Sequence, residues 1–437
     1  MSCYQKYPKY KDSGVDWIGK IPVNWEAKRL RYVLKLVTKK SDDDDQLALA
    51  LQNIESWTGR YISSGSEFEG AGVSFQHGDI LFGKLRPYLA KAYLAEFNGA
   101  AVGDFHVLRP CRPLNGRFML YLLLNQGFIS TVDGSTFGAK MPRVNWDFMR
   151  NIIIPIPPIN EQQTIANFLD RKTTQIDELI AKKEDLLKKL DEKRSALISH
   201  AVTRGLPTEI AHEFGLKLHS KYKDSGIEWL REVPEEWEVI KVRHLTRFKC
   251  GSTPATNDDK FWSDGMIPWV TPKDMKSGRI INTQDHLTPY GASQCASGLI
   301  TPGHVLIVVR SGILRHSLPV AINDETVTLN QDMRAFILSD QLNPEYLKWF
   351  IDGNQKTLLE QWCKSGTTVE SIEMEYLSAS SLPVPSIIEQ TAISAYLDCE
   401  TDKIDQLIQK IKKAVEQLKE YRLSIIANAV TGSLQIT

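Results

Sequence analysis

The sequence predicts an α+β fold built as a pseudo-two-fold internal repeat, in which two mixed α/β globular domains are separated by an antiparallel two-helix coiled coil. Three observations predict this fold. A short aromatic motif occurs twice, a proline-rich segment leading into a long amphipathic pattern occurs twice, and the stretches between these copies share almost nothing. Repeated segments around unlike contents indicate one frame that carries two different domains.

The composition is that of an ordinary globular protein. The chain has 437 residues, with 53 basic and 53 acidic side chains, and this length fits two or three folded units. A formal charge of zero argues mildly against a nucleic-acid partner, because such proteins usually carry a basic excess. Local basic clusters can still bind phosphate, so the balance does not exclude one.

Cysteine usage and hydropathy predict a soluble, cytoplasmic protein. The six cysteines lack any C-x-x-C pair, which favours reduced thiols over zinc ligands or disulfides. The polar beginning of the sequence differs from a signal peptide, and no apolar run reaches the ~18 residues of a membrane span.

The first repeated motif is YKDSGVDWIGKIPVNWE from Tyr10, which returns without a gap as YKDSGIEWLREVPEEWE from Tyr222. Both copies keep the spacing W-x4-P-x2-W. We expect these aromatic residues to anchor a loop on a domain surface, with a role in packing and not in chemistry.

The first copy also nearly spells the phosphate-binding loop G-x-x-x-x-G-K-[ST] from Gly14 onward. Ile21 replaces the hydroxyl that would hold magnesium, and the second copy has Arg231 and Glu232 at the glycine and lysine positions. We therefore interpret the match as chance. No dinucleotide fingerprint, amino-methyltransferase loop or paired metal-ligand cluster occurs elsewhere, so the sequence offers no catalytic residue and no metal site.

The second repeat begins with PIPPINEQQTIANFLD at Pro155 and PVPSIIEQTAISAYLD at Pro383. Apolar residues then recur at alternating steps of three and four, which predicts a coiled coil about 60 Å long. A two-fold axis across the rod would make the two helices antiparallel, with the variable domains at opposite ends. The predicted seam comprises Ile176, Leu179, Leu186, Leu190, Leu197, Ile404, Leu407, Ile411, Leu418 and Ile425.

The repeats divide the chain into six expected segments. These are a frame segment at 1–25, a first variable domain at 26–154, a long helix at 155–206, a linker with the repeated frame segment at 207–237, a second variable domain at 238–382, and a second long helix at 383–437. The acidic run from Asp42 to Asp45 is expected to be an exposed loop. A surface for a protein partner is the less favoured reading of it.

The first variable domain carries basic residues on glycine-bounded loops. Nine basic and four acidic residues lie between Ile80 and Arg150. Arginine, lysine and asparagine in such loops can contact phosphates and read base edges. The candidate DNA-binding residues are Lys84, Arg86, Tyr88, Lys91, Lys140, Arg143 and Asn145.

The second variable domain has a parallel arrangement of strands and loops, although its charge is nearly balanced. The inference of DNA binding therefore depends on the parallel with the first domain. Its candidate DNA-binding residues are Lys273, Lys276, Arg279, Arg310, Ser311, Lys364 and Thr367.

Together these motifs resemble the specificity subunit of type I restriction-modification systems over nearly the whole chain. The resemblance rests on the opening motif of each half, on P-[IV]-P-x-I-x-E-Q at the head of each long helix, and on A-V-T near its foot. The stretches GDILFGKLRPYLAK and LNQDM are similar to segments found in the target-recognition domains of this family.

The resemblance implies a non-catalytic DNA-binding subunit whose two target-recognition domains each read one half of a split, asymmetric site in double-stranded DNA. The helices would set the unread spacer and dock two modification (methyltransferase) subunits, and restriction/translocase subunits would join the complex. S-adenosylmethionine, ATP and magnesium would be bound by those partners, and no cofactor by this chain. The alternative is a coiled-coil protein-interaction scaffold without DNA specificity.

Overall fold

The computed structural model describes residues 5–41, 47–63, 72–136, 140–363 and 370–436. The chain divides into two compact units: unit 1 comprises Met1–Asp185 and Ile411–Thr437, and unit 2 comprises Leu186–Lys410. Each unit thus combines a frame segment, a variable domain and parts of both long helices. The units cut across the segments expected from the sequence, because each long helix contributes to both of them.

Unit 1 is built from short strands around a small helical layer. Its strands are β1 (Tyr10–Asp12), β2 (Lys20–Pro22), β3 (Glu26–Arg29), β4 (Leu34–Val37), β5 (Ala48–Leu49), β6 (Val73–Phe75), β7 (Ile80–Gly83), β8 (Ala92–Leu94), β9 (Gly99–Ala101), β10 (Phe105–Pro110) and β11 (Ile153–Ile156). Its helices are α1 (Gly116–Leu123), α2 (Gln126–Asp133), α3 (Trp146–Met149) and the first part of α4 (Ile159–Arg204).

The main sheet of unit 1 has the order β4-β10-β7-β8 and is antiparallel throughout. A three-stranded sheet of order β5-β9-β6 lies in the same domain. The apolar core joins Phe82, Phe118 and Phe128 of the variable domain to Ile165 and Leu169 of α4. The sheet is thereby fixed to the long helix by burial of apolar surface.

Unit 2 repeats this plan with different details. After α5 (Thr208–Glu213) its strands are β12 (Tyr222–Asp224), β13 (Glu232–Pro234), β14 (Glu238–Lys241), β15 (Thr246–Cys250), β16 (Ile267–Val270), β17 (Arg279–Ile280), β18 (Asp285–Leu287), β19 (Val305–Val308), β20 (Val320–Asn323), β21 (Thr328–Leu329), β22 (Met333–Leu338) and β23 (Ser381–Val384). Its later helices are α6 (Val242–Leu245), α7 (Asp259–Trp262), α8 (Pro289–Ser293), α9 (Pro344–Gly353), α10 (Gln355–Trp362), α11 (Met374–Ala379) and the first part of α12 (Ile387–Val430).

The main sheet of unit 2 has the order β15-β22-β19-β20-β17, and a second sheet has the order β18-β16-β21. Strand β19 is buried along its whole length between β20 and β22. The core of this unit joins Phe336 and Phe350 to Leu397 of α12 and Val202 of α4.

Each variable domain is inserted between two strands of one antiparallel ribbon. In unit 1, β3 enters the domain and pairs with β11, which leaves it, with Glu26 opposite Ile156. In unit 2, β14 and β23 pair in the same way, with Glu238 opposite Val384. The strand that enters each domain pairs with the strand that leaves it. The inserted segments can therefore differ in length while these paired strands keep the same arrangement.

The repeated opening motif packs as expected from its aromatic residues. Trp25 and Trp237 are buried in the cores of their units. Gly14 to Ile21 runs through a turn into strand β2, and no helix follows that could cradle a phosphate. This placement agrees with reading the near-match to a phosphate-binding loop as chance.

The E-Q pair of the second repeat connects each long helix to its own domain. Gln162 accepts from the amide of Asn115 at 2.9 Å and donates to the Pro157 carbonyl at 2.9 Å. Gln390 accepts from Asn343 at 2.7 Å and donates to Pro385 at 2.8 Å. Since both asparagines cap the first helix of the domain's helical layer, each glutamine fixes that cap onto the long helix.

The glutamate of the pair holds the opening motif. Glu389 accepts from Trp237 Nε1 at 3.0 Å and from His219 Nε2 at 2.6 Å. Its counterpart Glu161 accepts from the Tyr7 hydroxyl and from Asn24 at 3.1 Å. The signature shared by the two halves is therefore structural, because it joins the motif, the domain and the helix.

The long helices end where the backbone turns left-handed. Gly205, with φ of 87°, directly follows α4, and Gly432, with φ of 76°, follows α12. Glycine adopts this conformation without steric cost and is common just past a helix end. Within unit 1 the parts of α4 and α12 are joined by an ion pair between Asp177 and Arg422.

Burial along the long helices agrees with the predicted seam at some residues and contradicts it at others. Ile176, Ile404, Ile411 and Ile425 are buried, and Leu190, Leu197 and Leu418 are half-buried. Leu179, Leu186 and Leu407 are exposed, while the neighbouring Ile180 and Leu187 are half-buried and Ile408 is buried. The predicted seam is wrong at Leu179, Leu186 and Leu407 because each is followed by a second apolar residue, so that two helix registers are possible. At these three places the second residue is the more buried one.

Candidate nucleic-acid interface

The end of strand β7 and the start of β10 bring three loops of unit 1 together. These strands are antiparallel neighbours, so the end of one lies beside the start of the other. The Lys84 amide donates to the Asp104 carbonyl at 2.9 Å, and the Lys84 carbonyl accepts from Val144 at 2.9 Å. Arg86 donates to the Pro142 carbonyl at 2.8 Å. We call residues 84–88, 104 and 140–146 loop end 1.

Most candidate residues of the first domain lie on loop end 1. Arg143 donates from Nε and Nη2 to the two carboxylate oxygens of Asp104 at 3.1 and 3.0 Å. Lys84 Nζ lies 3.8 Å from the same carboxylate. The other candidates exposed on this surface are Arg86, Tyr88, Lys140 and Asn145. Loop end 1 therefore presents several cations and the Tyr88 ring, and two of the cations approach the Asp104 carboxylate.

Arg86 has a left-handed backbone with φ of 49°, and Ala90, with φ of 46°, shows the same conformation after the 3-10 helix Pro87–Leu89. A non-glycine residue pays about 1–2 kcal/mol for this conformation. Such strain is most often found at functional sites. Here the turn exposes Arg86 and Tyr88 together.

Two predicted contact residues also make structural contacts within the fold. The Lys91 ammonium donates to the Leu51 carbonyl at 2.8 Å, and burial lowers the pKa of Lys91. The Asn145 side chain caps helix α3 by accepting from the Asp147 amide at 3.0 Å. In both residues a partner in the fold already uses part of the polar group, and contact with DNA stays a prediction.

His106 connects loop end 1 to the main sheet of unit 1. Its Nε2 bonds to the Val144 carbonyl at 3.1 Å, and its ring lies 6.1 Å from that of Trp146. Burial lowers the pKa of His106, and the hydrogen bond to Val144 opposes this only in part. The neutral imidazole therefore donates its Nε2 proton to the loop.

Unit 2 repeats the backbone arrangement of loop end 1. The amide of Val309, just after β19, donates to the Asp332 carbonyl at 2.8 Å, and its carbonyl accepts from Ile372 at 2.8 Å. Ser311 donates to the Glu370 carbonyl at 3.2 Å. We call residues 309–315, 330–332 and 370–372 loop end 2.

The side chains of loop end 2 differ from those of loop end 1. Arg310 donates from Nε to Asp332 at 2.7 Å while more than half of its side chain is exposed. The Ser311 hydroxyl caps the 3-10 helix Gly312–Arg315 by accepting from the amide of Ile313 at 3.4 Å, so its role is structural. Arg315, which sequence reasoning missed, pairs with Glu370 at 2.6 Å. The signal in the sequence that could have identified Arg315 is its position on the same turn as Arg310.

The other candidates of the second domain lie in different places. Lys273 and Lys276 are exposed on the segment after β16, which starts beside loop end 2 because Asn330 donates to the Val270 carbonyl at 3.0 Å. Arg279 lies on β17 and pairs with Asp324 at 2.8 Å and with Glu345 of α9. Arg279 is therefore held by two carboxylates while about half of its side chain is exposed, and its contact with DNA stays a prediction. Lys364, Thr367 and the run Asp42 to Asp45 lie outside the described residues.

Clusters of potential metal ligands and membrane-spanning helices are not found in the described part of the chain. There, no three histidine, cysteine, aspartate or glutamate side chains group so as to hold a metal ion. Within the same ranges, no helix combines the length and apolar character needed to cross a bilayer.

Comparison with known proteins gives one consistent family. The family described as type I restriction modification DNA specificity domain matches residues 22–189 and 234–417. The specificity subunit of the Escherichia coli type I restriction enzyme EcoR124I/EcoR124II is 32% identical over 219 residues, which are 50% of this chain and 52% of that protein. The MjaIX specificity subunit of Methanocaldococcus jannaschii is 28% identical over 212 residues, 48% of this chain and 46% of that protein. The chain spans about half the length of these two relatives.

Two solved structures share the fold. A chain from a study of complex assembly and conformational transition of the type I R-M system has a TM-score of 0.74 at 18% identity, covering 95% of this chain and 99% of that one. The HsdS subunit from Thermoanaerobacter tengcongensis has a TM-score of 0.57 at 19% identity, covering 95% and 98%. These likenesses confirm the predicted fold class.

Proposed function

The chain belongs to the family of type I restriction modification DNA specificity domains, and from this premise we propose that it is the non-catalytic DNA-recognition subunit of a type I restriction-modification complex. Each variable domain reads one half of a split, asymmetric site. The observation that carries the proposal is that loop end 1 and loop end 2 share the same backbone hydrogen bonds among three chain segments but carry different side chains.

The chemistry of the loop ends supports this role. Exposed cations such as Arg86 and Lys140 suit phosphate contacts, which position a protein on DNA without reading sequence. Guanidinium groups such as those of Arg143 and Arg310 suit bidentate contacts with base edges in the major groove. Since the backbone scaffold is common and the side chains are not, the two domains would read different bases.

We also propose the partners that this role requires. The relatives are specificity subunits of restriction enzymes, so this chain would act within a larger assembly. The long helices would set the unread spacer and dock two modification subunits, and restriction subunits would join them. S-adenosylmethionine, ATP and magnesium would be bound by those partners. With a formal net charge of zero, tight DNA binding is expected to require the modification subunits.

Selection from randomised duplexes, followed by gel shift with and without the modification subunits, tests the proposal. The expected result is one split site, bound tightly only when the modification subunits are present. Arg143→Gln should weaken recognition of one half-site and Arg310→Gln that of the other. Equal loss at both halves would contradict the division of labour, and no sequence preference in the complex would leave the scaffold alternative in place.

A further inference from the structure

Two aspartates occupy the same position in the two variable domains. Asp104 directly precedes β10 and Asp332 directly precedes β22, and their separation along the chain equals that between Pro155 and Pro383 at the heads of the long helices. Each aspartate accepts, through its carbonyl, from the residue that follows the neighbouring buried strand, at 2.9 Å in unit 1 and 2.8 Å in unit 2. A carboxylate therefore recurs at the centre of both loop ends, although the domains share few other residues.

Each of these carboxylates holds an arginine that reaches it from a different loop. Asp104 receives two donors of Arg143 at 3.1 and 3.0 Å, and Asp332 receives Nε of Arg310 at 2.7 Å. The aspartate side chains are each 21% exposed, whereas the two arginines are 51% and 57% exposed. In each pair the aspartate is thus the more buried partner and the arginine is the more exposed one.

The donor geometry leaves one edge of each guanidinium available. A guanidinium has five N–H donors in a rigid plane. Arg143 uses Nε and one Nη2 donor on Asp104, and Arg310 uses Nε on Asp332. Among the described residues, no other group accepts from the donors at the outer edge. These donors are parallel, and this is the arrangement that binds O6 and N7 of guanine bidentately.

The contrast with neighbouring cations strengthens the assignment. Arg86, on the same surface, is exposed and has no carboxylate that would fix its plane among the ion pairs of the described residues. Lys84 approaches Asp104 only to 3.8 Å, and an ammonium acts as a point charge without a planar fork. Such groups suit phosphate, for which orientation matters less.

We propose that Arg143 and Arg310 each read a guanine, one in each half-site, and that Asp104 and Asp332 are the positioning residues that hold the two guanidinium planes ready. This inference rests on the proposed function and names the base class that each domain recognises. Holding the plane before contact reduces the rotamer freedom lost on binding. It also penalises other bases, because the fixed donors would then face donors or methyl groups.

The test uses the full chain assembled with its modification subunits. After the site is found by selection from randomised duplexes, affinity is measured for duplexes with each base substituted in turn. Wild type should require a guanine in each half. Asp104→Asn should reduce the preference for one of these guanines by about ten-fold and leave the preference in the other half unchanged. Asp332→Asn should do the reverse.

Charge-preserving variants separate base reading from folding and from charge. Arg143→Lys and Arg310→Lys keep a cation beside each aspartate but lose the planar fork. They should relax the same guanine preferences while the salt dependence of affinity stays unchanged. Glu96→Gln, which breaks the exposed 2.6 Å pair with Arg117 away from loop end 1, is the matched control and should leave every base preference as in wild type.

The outcomes distinguish this inference from the proposed function. A half-site without guanine, or aspartate variants that keep their base preferences within two-fold, would overturn the inference and leave DNA recognition standing. Loss of preference in both halves from a single aspartate variant would also overturn it. An assembled wild type with no sequence preference would overturn both.

Discussion

Arg422 donates from Nε to Oδ1 of Asp177 at 2.9 Å, with both side chains largely buried in unit 1. In the repeat, Arg194 is the counterpart of Arg422 and Asp405 is the counterpart of Asp177, and these two residues pair at 3.1 Å. The two pairs differ in surroundings. Asp177 also accepts a hydrogen bond from Arg60, and Arg422 also donates to the Trp57 carbonyl. In the second pair, by contrast, half of the Asp405 side chain is exposed.

Asp177→Ala should destabilise unit 1 by about 3 kcal/mol, because removing one partner leaves a buried guanidinium uncompensated. Asp405→Ala is the matched control from the repeat. It should cost less than about 1 kcal/mol, since exposed pairs contribute little. Hydrogen exchange resolved along the chain measures both. Equal loss of protection in the two variants would refute the assignment of a buried pair to unit 1.

Gln162→Ala and Gln390→Ala should each cost about 1–3 kcal/mol, because each leaves a half-buried amide and a buried carbonyl without their glutamine partner. Both glutamines are buried within their units. Gln163→Ala removes an exposed neighbour and should stay within about 0.5 kcal/mol. Urea denaturation of the three variants measures this. A loss for Gln163→Ala as large as for Gln162→Ala would contradict it.

Ile408→Ala should cost about 2–5 kcal/mol, as other buried large-to-small changes do. Leu407→Ala should cost less than about 1 kcal/mol, because Leu407 is 44% exposed while Ile408 is 6% exposed. Thermal unfolding of the two variants decides between the two helix registers. The opposite ranking would restore the seam expected from the sequence.

Lys91→Met should leave the salt dependence of DNA affinity unchanged, because the ammonium binds the Leu51 carbonyl and is not free for phosphate. Lys140→Ala should lower the slope of log affinity against log salt by about one, because Lys140 is exposed on loop end 1. Anisotropy titrations at several salt concentrations, with the modification subunits present, give both slopes. A reduced slope for Lys91→Met would show instead that Lys91 contacts phosphate.

Acidification should destabilise loop end 1 through His106. Burial sets its pKa in the folded chain below the value of the unfolded chain, which is about 6.5. Above that pH both states are neutral and the stability is fully present; as pH falls below it, the unfolded chain binds the proton more readily and stability is lost. His106→Gln should flatten the pH dependence of amide protection in residues 140–146. Parallel pH profiles for variant and wild type would show that His106 does not carry the effect.

The sequence predicted the two repeated segments of each half well, because the residues that make their contacts occur in both copies. Trp25 and Trp237 were expected to pack, and both are buried. The sequence predicted Arg143 and Arg310 as binding candidates but not Asp104 or Asp332. Their partners lie 39 and 22 residues away, and the pairing depends on which strands are neighbours. The bond from Lys91 to the Leu51 carbonyl was not predicted for the same reason, since Leu51 is 40 residues distant.

The sequence by itself determined the internal repeat, the long helices and the unlike contents of the two domains. These follow from local periodicity and from comparison of the chain with itself, which need no knowledge of distant contacts. The tertiary structure alone decided which apolar residues face inward along the helices and which cations each aspartate holds. Helix registers one step apart bury similar apolar surface, and ion pairs form across strands whose order the sequence leaves open, so packing of the whole unit makes both choices.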